Sequence, residues 1–111
     1  MKWNQLTSID QIAELDEQSK TKPVMILKHS TRCSISSAAL GRLERNWKEE
    51  NNASVDPYYL DLLQHRDVSN FIAQHYQVEH ESPQILLIKE GKSVFSQTHM
   101  GINLPEILAK I

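Results

Sequence analysis

One cysteine, Cys33, is present among 111 residues. It sits in the run His29-Ser30-Thr31-Arg32-Cys33-Ser34-Ile35-Ser36. The apolar stretch Val24-Met25-Ile26-Leu27 ends just before this run, and a helical pattern from Ala38 to Trp47 begins just after it. The thiol is therefore expected where a strand hands over to a helix N-terminus. Free N–H groups and the helix dipole favour the thiolate there, and the thiolate is the form that attacks a disulfide. A lone cysteine more often packs as a small hydrophobe. The polar neighbours Ser30, Thr31, Arg32, Ser34 and Ser36 argue for reactivity instead.

Cys33 and Ser36 form Cys-x-x-Ser. At i and i+3 on one helical turn, the Ser36 hydroxyl is expected to approach the sulfur and hydrogen-bond its thiolate. No second thiol stands in the motif, so a mixed disulfide formed at Cys33 must be resolved by an external thiol. Arg32, His29 and Lys28 would lower the thiol pKa if they were turned toward it. Taken singly, Lys28 and Arg32 read as solvated side chains.

Ser82-Pro83 precedes a second apolar run, Ile85 to Ile88. A proline is sterically tolerated at the start of a strand. His75 and His80, with Glu79 and Glu81, lack the His-x-x-His or His-x-x-x-His spacing of a metal pair and read as solvated loop residues, so no metal is expected. His99, near Gly101 and the last helix, is a candidate for substrate contact. Trp47, Phe71 and Tyr76 read as core.

The elements that would position these groups alternate in type. Trp3 to Leu6 reads as a short edge strand. Ser8-Ile9-Asp10-Gln11 reads as a capping box opening a helix with Ile9, Ile12, Ala13 and Leu15 on one face. Pro23 ends it, and Val24 to Lys28 reads as a strand buried on both faces. In the next helix Ile35, Ala39, Leu40, Leu43 and Trp47 recur at helical spacing. Pro57 to Leu62 reads as a strand, and Asp67 to Tyr76 as a helix.

Gln84 to Lys89 and Ser93 to Thr98 form a hairpin through Glu90-Gly91-Lys92. Asn103 caps a final helix, with Pro105 in its first turn and Glu106 three residues after the cap. The order β-α-β-α-β-α-β-β-α predicts an α/β fold with a central mixed sheet flanked by helices, one domain over 1–111. That is a thioredoxin-like layout, with Cys33 after the second strand. In such a layout Pro83 is a cis-proline facing the cysteine, and the backbone of Ser82 is free to pair with an extended substrate.

Composition bounds the partners. Apolar residues make up 40% and charged residues 23%, as in an ordinary globular domain, and the formal charge of −2 gives nucleic acid or an anionic membrane no electrostatic hold. No apolar leader or run long enough to span a bilayer is visible, and the expected location is the cytoplasm.

The runs Lys28 to Ser36 and His80-Glu81-Ser82-Pro83-Gln84 resemble the monothiol bacilliredoxin family of bacteria. The likeness covers nearly the whole chain, including Tyr58-Tyr59-Leu60 and the closing hairpin and helix. It implies a thiol–disulfide oxidoreductase with no bound cofactor, using bacillithiol or another low-molecular-weight thiol as co-substrate and S-thiolated proteins as clients. By the likeness Cys33 would be the nucleophile and Pro83 the cis-proline beside it. From their positions Ser36 is expected to assist the sulfur, and Arg32, Ser82 and Pro83 to contact substrate. The family usually has Thr before the cysteine and Pro after it, where this chain has Arg32 and Ser34. Two other readings stand beside it. One is an adaptor that pairs one cysteine with a small thiol to hold an iron–sulfur cluster, although the Cys-Gly-Phe-Ser run of such proteins is absent. The other is a binding domain in which Cys33 is inert.

Overall fold

The computed structural model describes residues 1–111. Five strands form one mixed sheet: β1 (Asn4–Gln5), β2 (Val24–His29), β3 (Asp56–Asp61), β4 (Gln84–Lys89) and β5 (Lys92–Thr98), in the spatial order β1-β3-β2-β4-β5. The helices are α1 (Asp10–Gln18), α2 (Ser34–Asn46), α3 (Arg66–His75) and α4 (Leu104–Leu108), with 3₁₀ turns at Glu49–Ala53 and His99–Gly101. The helical crossovers make β1, β3 and β2 parallel, and β2-β4 and β4-β5 pair antiparallel. This is the thioredoxin-like arrangement that the alternation of elements predicts.

β2 is central and every one of its residues is buried. Side chains alternate across a strand, so Val24 and Ile26 join Ile12, Leu15, Val68 and Ile72 in one core layer. Met25 and Leu27 join Ala39, Leu43, Leu104 and Ile107 in the other. The helices α1 and α3 thus cover one face, and α2 and α4 the opposite one.

Local signals account for most boundaries. Asn103 accepts the Glu106 N–H at 3.1 Å, as an N-cap should. Glu90 and Gly91 both take positive φ (52° and 73°), which matches a two-residue hairpin turn and is cheap only at the glycine. The capping box of α1 is half made. Gln11 Oε1 accepts the Ser8 N–H at 3.0 Å, but Ile9 rather than the expected Ser8 is the N-cap, and no side chain caps the helix.

Three apolar assignments are corrected. Ile35 is 42% exposed, Ile9 36% exposed and Ala13 exposed, because the buried stripe of α2 runs through Ser36, Ala39 and Leu43, and that of α1 through Ile12 and Leu15. No helix is long and apolar enough to cross a membrane.

Candidate active site

Cys33 is the N-cap residue of α2, with extended backbone (φ −112°, ψ 122°), and is half-buried. The N–H of Cys33 donates to Ser30 O at 3.2 Å, which closes the turn after β2. Its carbonyl opens the helix by accepting the Ser37 N–H at 3.0 Å. The side chain itself caps no amide. The thiol therefore leaves the end of the central strand beside a helix N-terminus, as the sequence leads one to expect.

Ser36 is fully buried. The Ser30 N–H donates to its Oγ at 3.0 Å, and the same oxygen lies 2.6 Å from His29 Nδ1. The hydrogen bonds of this hydroxyl are thus to the turn and to the imidazole, rather than to the sulfur. A serine has one proton to donate. With His29 Nδ1 as acceptor, that proton is committed to the ring.

Burial pushes the His29 pKa down, partly offset by the nearby Asp61 carboxylate, and so favours the neutral ring. The ring also packs against Tyr59, with centroids 5.4 Å apart. Ser36→Ala is expected to leave the Ser30 N–H and the His29 ring without their partner and to cost about 1–3 kcal/mol. Urea unfolding of the two chains checks this.

The Ser82–Pro83 peptide is cis. Lys28 and Gln84 are the last pair of the β2–β4 ladder, so Pro83 stands at the end of β2 from which the cysteine run departs. The His99 N–H donates to Pro83 O at 2.9 Å, and His99 Nε2 lies 3.7 Å from Glu81 Oε2. His99 is thereby placed beside the Ser82–Pro83 segment.

Arg32 is exposed and, with Thr31, Asp61, Leu63 and Gln64, lines an open cleft of about 390 Å³ that begins next to Cys33 in the chain. Asp61 Oδ1 accepts the Leu63 and Gln64 N–H groups at 3.1 and 3.4 Å. No ion pair joins Asp61 to Arg32.

Lys28 departs most from expectation. It is fully buried, not solvated, and burial pushes its pKa down to about 8. Its Nζ donates to Ser69 O at 3.2 Å and lies 3.2 Å from His80 Nδ1. His80 is an exposed loop residue, as expected, but its ring meets Lys28, whereas His75 does not lie in a loop. The His80 pKa is lowered by burial and by Lys28. His75 belongs to α3, stacks on Phe71 and lies 2.6 Å from Asp16 Oδ2. No three His, Cys, Asp or Glu side chains converge as metal ligands. Asp61 was open to sequence reasoning only as a carboxylate at the end of a strand, which is a weak signal.

A family model described as monothiol bacilliredoxin BrxC matches residues 4–107. A solved structure described as a candidate oxidoreductase with a thioredoxin fold is 36% identical, with a TM-score of 0.81 over 95% of this chain and 89% of that one. Thioredoxin from Malassezia sympodialis is similar in fold at 18% identity and TM-score 0.74, covering 98% of this chain and 87% of its own. Thioredoxin from Fasciola hepatica is 19% identical with a TM-score of 0.73, covering 96% and 97%.

Proposed function

The chain belongs to the monothiol bacilliredoxin family, and from that membership we propose that it removes bacillithiol, or a closely related small thiol, from mixed disulfides on client proteins. The observation that carries this reading is a single thiol at the N-cap of α2, with serine in place of a resolving cysteine. In the first step the Cys33 thiolate attacks the small-thiol sulfur of the mixed disulfide. A Cys33–small-thiol disulfide forms and the client leaves as thiolate. A second small-thiol thiolate then attacks that adduct, regenerating the Cys33 thiolate and releasing the symmetric small-thiol disulfide.

The helix N-terminus favours negative charge on sulfur. Ser36 supports this indirectly, by fixing the turn from Ser30 to Cys33. The Ser82 backbone and Pro83 align the extended client strand. The cleft lined by Arg32 and Asp61 has the volume for the rest of the small thiol, with unpaired charges of both signs at its wall.

The test uses reduced protein and a bacillithiolated client, followed by intact mass. The wild-type chain is expected to gain the mass of one small thiol as the client loses it, and Cys33→Ser to leave the client at its spontaneous rate. Equal rates for the two chains would end the proposal.

A further inference from the structure

Lys28 has no role in the exchange chemistry at Cys33, yet a buried ammonium without a carboxylate is costly to keep. It lies on the sheet face covered by α1 and α3, opposite the face onto which its neighbour His29 turns toward Ser36. Its Nζ reaches α3 at Ser69 O and the α3–β4 connection at His80. Its cross-strand partner Gln84, itself 2% exposed, donates from Nε2 to Glu79 O at 3.0 Å. Two adjacent buried side chains, from neighbouring strands, therefore grip consecutive residues of one connection.

That connection has no helix or strand between His75 and Gln84. The other polar contacts to residues 79–82 are Ser69 Oγ, 3.4 Å from His80 Nδ1, and the surface pair His99–Glu81. The Ser82 hydroxyl oxygen is buried without a partner, so this side chain does not anchor itself.

We propose that Lys28, acting through His80 and seconded by Gln84, is a positioning residue that braces segment 79–82 and thereby sets where Ser82 and Pro83 stand opposite Cys33. Lys28 touches no substrate, and its effect on exchange rests on the reading that Ser82–Pro83 aligns the client. An ammonium only donates. His80 Nδ1 is therefore the acceptor and its proton sits on Nε2. A second proton on His80 would set donor against donor. The charges facing His80 are Lys28 from β2 and Arg66 from α3, both of its own sign when protonated, and Glu81 of opposite sign. The brace should hold while His80 is neutral and release as acid titrates it, below the ordinary histidine range.

Hydrogen exchange on the intact chain, corrected for intrinsic rates, reads the brace without any catalysis. At neutral pH, Lys28→Met and His80→Ala are expected to exchange the His99 amide, which donates to Pro83 O, about tenfold faster than wild type, with no such loosening in β2 and α3. His80→Asn, whose amide oxygen accepts from Lys28 and does not titrate, should retain protection both there and in acid well below the ordinary histidine range. Wild type should lose protection in that acid.

In the exchange assay, Lys28→Met should raise KM for a thiolated peptide about tenfold with kcat within about twofold, and leave Cys33 alkylation by iodoacetamide unchanged. Wild-type protection in Lys28→Met and His80→Ala, loosening spread evenly over β2 and α3, or an unmoved KM would each overturn the proposal. If wild type transfers no small thiol at all, the redox reading fails, and the exchange pattern still decides whether the brace exists.

Discussion

A Ser36→Cys chain is expected to stop accumulating the small-thiol adduct and to collect instead as a species about 2 Da lighter than the reduced protein. Residues at i and i+3 of a helix have Cα atoms close enough for a disulfide to close. The new thiol would attack the Cys33 adduct from within the same turn and expel the small thiol, ahead of any external thiol at millimolar concentration. Turnover with the free small thiol as sole reductant should then slow sharply, because the internal disulfide forms again each time it is opened. The change also removes the oxygen that accepts the Ser30 N–H and meets the His29 ring, so a lower melting temperature is expected alongside the new chemistry. Intact mass after one turnover checks it. A persistent adduct in Ser36→Cys would mean that position 36 cannot reach the sulfur at all.

The second large effect concerns stability and alkaline pH. The Lys28 pKa falls from 10.5 to about 8 on folding. The unfolded chain therefore binds the proton more tightly between those values, and wild type gains stability as pH rises through that window. The full penalty is present below about pH 8 and is gone above the unfolded value, a swing of about 3 kcal/mol. Lys28→Met has nothing at position 28 to titrate. Its stability relative to wild type should be most favourable at neutral pH and should decline by about that amount toward pH 10.5. Denaturant unfolding of both chains across this range measures the difference, in which the other lysines and the tyrosines largely cancel. A gap that does not change with pH would mean that Lys28 is solvated in the folded chain.

The parts of this molecule that were legible in the sequence are those fixed by local chemistry. Asn103, Pro105 and Glu106 announce the last helix, Glu90-Gly91 the hairpin, and the run from Val24 to Leu27 a strand covered on both faces. Cys33 at the head of α2 follows from the same kind of signal, a strand pattern giving way to a helical one.

Lys28 was not legible, because a charge at the end of an apolar strand ordinarily reaches water. What buries it comes from Ser69 and His80, 41 and 52 residues away in the chain. Ser36 was half legible. Its spacing from Cys33 suggested a partner for sulfur, whereas the bonds it makes run backward to His29 and Ser30 on the strand side of the turn. Ile35 misled by hydrophobicity alone, since the phase of α2 is set by Ala39 and Leu43 and turns position 36 inward in its place.

The central place of β2 bears on how the site withstands heat. The strand is paired on both sides, to β3 and to β4, and wholly buried. Such a strand belongs to the last part of a protein to open. The turn that presents Cys33 is anchored directly to it, so partial fraying at β1 or β5, the outer strands of the sheet, leaves the thiol's surroundings in place. On heating, loss of the turn that presents Cys33 and loss of the whole fold are then one cooperative event.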